Sequence, residues 1–197
     1  LVGSEMCIRD RSIRRRAATI GGHNMDDYPL KMHVFNRARL IKNSKNRIPY
    51  GVDLIQKYRR ESWIVFTENK KQAKEFNKII NTKGFRSALY NTDLDSTERL
   101  ENLNKFKKAD LNVLVTCTAL DEGFDMPEAD GALILSASSS KRQRVQRMGR
   151  VLRITENKPN ALIVTVYSSK TEFDKLMEEA KRYHKEGVPV SWKRQDR

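Results

Sequence analysis

Two rhythms of apolar residues alternate along this chain. Short, uniformly apolar runs occur at Trp63-Ile64-Val65-Phe66-Thr67, Ser87-Ala88-Leu89-Tyr90, Asn112-Val113-Leu114-Val115-Thr116, Gly131-Ala132-Leu133-Ile134-Leu135 and Ala161-Leu162-Ile163-Val164-Thr165-Val166-Tyr167. Their length and β-branching predict buried strands. Between them the spacing becomes helical. Lys70 to Thr82 carries Ala73, Phe76, Ile79 and Ile80 on one face and meets Gly84 as a stop. Asp95 predicts an N-cap, with Glu98 closing a capping box and Leu100, Leu103 and Phe106 facing inward. Ser140 to Leu152 reads as a strongly basic helix. Ser169 with Glu172 opens a last helix that reaches about Glu186 and is ended by Gly187 and Pro189. Upstream, from Lys31 to about Arg60, Met32, Phe35, Leu40 and Ile41 and then Val52, Leu54, Ile55 and Tyr58 keep helical spacing; Pro49-Tyr50-Gly51 breaks it, which predicts two helices.

Strand, helix, strand, helix at these intervals means βαβ units and right-handed crossovers into a parallel sheet. Runs that are apolar throughout, rather than alternating, fit strands covered by helices on both faces. The expected class is α/β, a three-layer doubly wound and mostly parallel sheet, with an N-terminal helical extension. Ligands of such sheets sit beyond the carboxyl ends of the strands.

Composition adds a partner. The 197 residues include 39 Lys and Arg against 25 Asp and Glu, a net charge of +14, with 38% apolar residues. That apolar share builds one core, while no run reaches the roughly 18 to 20 residues a membrane span needs. Excess positive charge favours a polyanion, because each cation that neutralises a phosphate releases a condensed counterion. Cys7 and Cys117 have neither metal-ligand spacing nor a disulfide framework, which fits an intracellular compartment: cytoplasm or nucleoid, or the nucleus in a eukaryote. His23, His33 and His184 are scattered and form no metal site.

Four segments follow. Residues 1–11, Leu1-Val2-Gly3-Ser4-Glu5-Met6-Cys7-Ile8-Arg9-Asp10-Arg11, resemble a reading frame of a transposase sequencing adapter and are expected to be an assembly artefact. Their removal leaves the charge at 37 − 23, still +14. Residues 12–60, with Arg14-Arg15-Arg16 and Gly21-Gly22, read as a linker and helical extension from a missing first lobe. Residues 61–187 form the main domain and 188–197 a basic tail, where Trp192 is expected to fray.

Two segments carry chemistry. In Gln143-Arg144-Val145-Gln146-Arg147-Met148-Gly149-Arg150-Val151-Leu152-Arg153, three arginines recur every third residue. On a helix that spacing places Arg147, Arg150 and Arg153 roughly on one face. Three guanidinium groups together repel unless an anion stands opposite, and their forks match phosphate oxygens. In the stretch from Val113 to Asp130, an apolar strand ends in Thr116 and Thr118. Gly123 then lets backbone approach a ligand, Asp125 offers a carboxylate to a ribose hydroxyl, and Pro127 fixes the exit.

Together these segments resemble motifs VI and V of superfamily 2 helicases, and Ile64-Val65-Phe66-Thr67-Glu68-Asn69 resembles motif IV. The likeness covers about residues 60 to 186 and is nearest in feel to DNA-repair helicases of the XPB (Rad25-like) type and related phage or restriction-system translocases, an impression to which Ser138-Ser139-Ser140 contributes. It implies a C-terminal RecA-like lobe working with ATP and Mg2+, the metal held mainly by the absent lobe. Arg150 and Arg153 would be arginine fingers. Gln146 and Arg147 would sense the nucleotide, and Gly123 and Asp125 would meet its sugar edge. Thr67, Asn69, Thr116 and Thr118 would lie along the nucleic-acid backbone.

The pattern departs from the family at Cys117, where many relatives carry Thr; Cys117 is expected to pack as a small core residue. Gln146 and Leu152 stand where RNA helicases of the DEAD-box kind show His and Gly, which favours DNA over RNA. No G-x-x-x-x-G-K-[ST] loop is present, so the chain alone is expected not to hydrolyse ATP. An RNA helicase lobe and a non-catalytic nucleic-acid-binding module of the same fold remain as alternatives; a dinucleotide enzyme does not, since no G-x-G-x-x-G follows the first strand. Trp63 and Tyr90 are expected in or beside the core.

Overall fold

The computed structural model describes residues 32, 36, 40, 41, 43–117, 128–135 and 161–192. The chain divides into two compact units, Leu1–Ile41 and Lys42–Arg197. In the first, residues 32, 36, 40 and 41 are helical. The second contains helix α1 (Arg47–Tyr58), strand β1 (Trp63–Thr67), helix α2 (Lys70–Thr82), strand β2 (Ser87–Tyr90), helix α3 (Ser96–Lys107), strands β3 (Val113–Cys117), β4 (Gly131–Ile134) and β5 (Leu162–Thr165), and helix α4 (Lys170–Lys185).

The five strands form one parallel sheet in the order β2-β3-β1-β4-β5. Alternate residues of each strand serve opposite faces. Trp63, Val65, Val113, Val115 and Leu133 join α1 and α2 in one core, with Ile55, Phe76 and Ile80 among its buried members. Ile64, Phe66, Leu114, Ala132 and Ile134 join Leu103 and Phe106 of α3 in the other. This double coverage explains the absence of polar alternation: every residue of β1, β3 and β4 is buried. The doubly wound α/β class expected from the sequence is the observed one.

Local signals act where the sequence places them. Asp95 accepts the Glu98 amide at 2.7 Å, and Ser169 accepts the Glu172 amide at 3.2 Å. Gly84 and Gly187 take φ of +84° and +77° just past α2 and α4. Each helix closes with the paired reverse bonds of a Schellman end: Phe85 and Gly84 donate to Ile80 and Asn81, and Val188 and Gly187 donate to Tyr183 and His184. Helix α3 closes in the same way at Ala109, φ +61°, a stop that no glycine announces.

Four expectations are corrected. Pro49-Tyr50-Gly51 does not separate helices but lies inside α1, where first-turn amides lack helical partners anyway, so proline is tolerated. Helix α1 is also part of the core rather than an appendage, with Ile48, Val52, Leu54 and Ile55 buried. Leu100 is 57% exposed. Six residues at 100° per residue separate it from Phe106 by about 120° around the helix, and the inward face follows Leu103 and Phe106. Trp192 is not loose: its ring packs edge-on against Phe173 at 5.1 Å and Tyr167 at 6.4 Å.

Gly131 opens β4 beneath the indole of Trp63, and a Cβ there would lie 2.6–2.8 Å from the ring. A fully buried indole cannot give way. Gly131→Ala is therefore expected to destabilise the domain by about 1–3 kcal/mol, the usual cost of overpacking. Urea denaturation checks this, and an unchanged midpoint would contradict the packing described.

Candidate functional site: the carboxyl edge of the sheet

All five strands point the same way, so their carboxyl ends share one edge. Strand β1 leads through α2 toward β2 at one margin, whereas its neighbour β4 leads to β5 at the other. The chain thus departs in opposite directions from adjacent strands, which opens the crevice where doubly wound sheets bind ligands.

Thr67 ends β1 at this crevice. Its hydroxyl donates to the Thr116 carbonyl at 3.0 Å and lies 3.3 Å from that of Asn69, while the Thr116 hydroxyl donates to the Cys117 carbonyl at 3.2 Å. Both threonines are buried. Their hydroxyl protons therefore serve the ends of β1 and β3. Asn69, half-buried, is the N-cap of α2. Its Oδ1 accepts the Gln72 amide at 2.9 Å, and its Nδ2 donates to Asn43 Oδ1 at 2.6 Å. Gln72 Oε1 accepts the Glu68 amide at 3.0 Å in turn. The structure thus brings Thr67, Asn69 and Thr116 together on one edge. Thr118, Gly123, Asp125, Gln146, Arg147, Arg150, Arg153 and the helix expected over Ser140 to Leu152 lie outside the described residues. Cys117 is buried in the α1–α2 core, as is Trp63; Tyr90 belongs to the α3 core.

Sequence reasoning missed two features of this edge. The first surrounds Asp93, just past β2. Lys70 bonds to Asp93 Oδ1 and Lys74 Nζ lies 3.0 Å from Oδ2. Nearby, Asn91 is fully buried; its Oδ1 accepts the Asp93 amide at 3.0 Å while its Nδ2 finds no partner among the described residues. Burial pushes the Tyr90 phenol up, opposed by the positive charge of Arg99. The second feature is Arg47, only 1% exposed. Its Nη1 donates to the carbonyls of Leu135 at 2.6 Å and Val166 at 2.8 Å. Its Nη2 donates to Ser168 Oγ at 2.7 Å and to Glu172 Oε1 and Oε2 at 2.7 and 2.5 Å. Glu172 Oε2 also accepts the Ser168 amide at 2.8 Å, so the carboxylate of the expected capping box reaches one residue beyond the N-cap. Removing one partner of such a buried pair costs about 3–5 kcal/mol. A signal was present: Arg47 shares the helical stripe of Gly51, Leu54 and Tyr58, an odd place for a cation.

The Lys70 and Lys74 ammonium groups hold the Asp93 carboxyl below its ordinary value of 3.8. A depressed carboxyl stabilises the fold above its unfolded pKa, and that contribution fades as pH falls through the lower folded value. Carbon-detected titration of Asp93 should therefore give a midpoint below 3.8, and Lys70→Ala with Lys74→Ala should return it upward. An Asp93 midpoint that both substitutions leave in place would contradict the assignment.

Among the described residues, no helix is long and apolar enough to cross a membrane, and no group of three His, Cys, Asp or Glu could hold a metal ion. Comparison with known proteins agrees with the fold. A DNA 3'-5' translocase XPB2 from Sulfurisphaera tokodaii is 35% identical over 129 residues, 66% of this chain and 28% of that protein. An ATP-dependent RNA helicase DBP3 from Ajellomyces capsulatus is 28% identical over 166 residues, 81% of this chain and 32% of that protein. The chain thus spans about a third or less of these relatives. The solved C-terminal domain of the DEAD-box protein Dbp5 superposes with a TM-score of 0.63 at 21% identity, covering 73% of this chain and 82% of that domain, a likeness of fold. The helicase conserved C-terminal domain family matches residues 46–155, more than half the chain and beginning where α1 begins. The chain belongs to that family, as a superfamily 2 helicase C-terminal domain with a RecA-like sheet.

Proposed function

We propose that this chain is the second lobe of an ATP-dependent DNA translocase or helicase, completing in a two-lobed enzyme a site whose phosphate-cradling loop and Mg2+ ligands belong to the other lobe. The observation that carries the reading is the way the three-arginine segment is rooted. It follows β4, the strand that ends beside β1 at the reversal of strand order, where a ligand crevice must open. Arg150 and Arg153 act as arginine fingers toward the γ-phosphate, supplying positive charge where it develops in the transition state. Gln146 and Arg147 respond to the nucleotide's state, and Gly123 and Asp125 meet its sugar edge. ATP supplies the phosphoryl bond whose hydrolysis drives movement. This chain alone, with no phosphate loop, does not turn it over.

The nucleic-acid track follows the same edge. Asn69, by capping α2, sets the first turn whose Lys70 and Lys71 amides meet a backbone phosphate, favoured by the helix N-terminus and by Lys71. Thr67, Thr116 and Thr118 complete that track, the first two by fixing the ends of β1 and β3 beneath it. Contacts of this kind grip a strand without reading bases. The preference for DNA over RNA rests on Gln146 and Leu152 and on the likeness to the XPB2 translocase. The likeness to DBP3 supports RNA as the second reading, and comparing stimulation by the two polymers separates them.

In the parent ATPase, Arg150→Ala and Arg153→Ala are each expected to lower nucleic-acid-stimulated turnover by about 10³-fold or more, the scale of an arginine finger. Affinity for the nucleic acid should persist. Undiminished turnover in either variant would sink the assignment.

A further inference from the structure

Arg47 has more to do than join two elements. The amides of Leu135 and Val166 continue the sheet, donating to the carbonyls of Phe66 and Ile134. Their own carbonyls lie beyond the last ladder bonds of β4 and β5, and the Arg47 guanidinium supplies the donors. Leu135 is the last described residue before the three-arginine segment, and Val166 follows the strand to which the chain returns. A second restraint acts on the same residue: Gly51 sits so close that a Cβ there would come within 2.6 Å of the Leu135 Cδ2. Glu172 and Ser168 fix the guanidinium from the opposite side. Arg47, Leu135, Val166 and Glu172 are all at least nine-tenths buried.

Stability alone does not require this arrangement. A buried ion pair is commonly replaceable by apolar residues of similar volume without loss. What an apolar pair cannot reproduce is a rigid planar fork whose two N–H groups hold two carbonyls from different strands in fixed register.

We propose that Arg47, held by Glu172, is a positioning residue for ATP hydrolysis: it fixes the root from which the chain enters the segment bearing Arg150 and Arg153. The inference rests on the arginine-finger reading above. A misplacement of about 1 Å, introduced far from the reacting atoms, costs on the order of 10²-fold in rate.

The test compares Arg47→Met, Arg47→Lys and the double variant Arg47→Met with Glu172→Met, in the parent ATPase and in this chain. Arg47→Met strands a buried carboxylate and lowers the thermal midpoint. The double variant removes both charges and recovers the part of the loss that the stranded carboxylate caused. Turnover of the double variant nevertheless stays about 10²-fold down, with KM for ATP and affinity for nucleic acid unchanged. Arg47→Lys keeps the charge against Glu172 but loses the fork, and turnover falls while KM holds. Recovery of turnover together with the midpoint, or wild-type turnover in Arg47→Lys, would leave Arg47 a purely structural residue and overturn the proposal. Amide exchange separates this failure from failure of the underlying reading. In the double variant the Leu135 and Val166 amides should exchange at least about tenfold faster while those of β1 and β3 hold, a loss of about 1.4 kcal/mol of local protection; unchanged exchange overturns the proposal even if Arg150→Ala abolishes turnover. If Arg150→Ala leaves turnover intact while the two amides are released, the arginine-finger reading fails instead and the positioning of a catalytic segment fails with it.

Discussion

A guanidinium only 1% exposed must find acceptors for its N–H groups or the fold loses more than the side chain contributes. Arg47 meets that demand with partners from three places: the end of β4, the end of β5 and the first turn of α4. The consequence reaches past the residue itself. Helix α1 has its N-terminus fixed against the carboxyl edge of the sheet, and Gly51, one turn on, is the point where it can approach Leu133 and Leu135 without a side chain intervening. Two of the helices that start at this edge, α2 and α4, begin alike. In α2 and α4 an N-cap side chain takes an amide at the third helical residue, and that residue's side chain accepts the amide preceding the cap, Gln72 from Glu68 and Glu172 from Ser168. Both caps tie the chain just ahead of the helix to its first turn.

Parallel strands concentrate chemistry. Five carboxyl ends lie on one side, and the chain leaves β1 and β4 in opposite directions, the arrangement in which doubly wound sheets open a ligand crevice. The amino edge is treated differently. Ser62 and Asp130 bond one another, Ser62 Oγ to Asp130 Oδ2 at 2.8 Å and the Asp130 amide to Ser62 Oγ at 3.0 Å, which fastens the starts of β1 and β4. Of the acidic residues around the motif V stretch, Asp130 is thus a fastening of the sheet. In doubly wound folds generally it is the carboxyl edge that takes ligands.

Much of this was legible in the residues. Strand β1 is all apolar until Thr67 because both its faces are covered, and the α2 stripe of Ala73, Phe76 and Ile80 follows a 3.6-residue period, so pattern alone locates both. Gly84 and Gly187 announce helix ends because the left-handed conformation is inexpensive only for glycine. Ala109 adopts the same conformation without announcing it, since the reverse bonds to Lys105 and Phe106 decide the matter. Arg47 was illegible for a different reason. Sequence patterns assign charges to solvent, and its acceptors lie 88 to 125 residues away, where only tertiary structure can supply them. Pro49 misled because a helix breaker in the interior is harmless in a first turn. Thr67 and Thr116 follow apolar runs and so fall on the carboxyl edge, yet their buried hydroxyls serve the strands. Trp192 looked like tail until Tyr167 and Phe173 were seen beside it.

The account as a whole requires that an edge preorganised by one lobe meet a triphosphate held by another. A crystal structure of the two-lobed enzyme closed on ADP, a metal-fluoride mimic of the transferred phosphoryl group and nucleic acid would measure this directly. The account predicts the guanidinium groups of Arg150 and Arg153 at roughly 2.7–2.9 Å from the mimic, the reach of a charge-assisted hydrogen bond. Both groups turned away from the nucleotide, or paired with carboxylates of their own lobe, would contradict it.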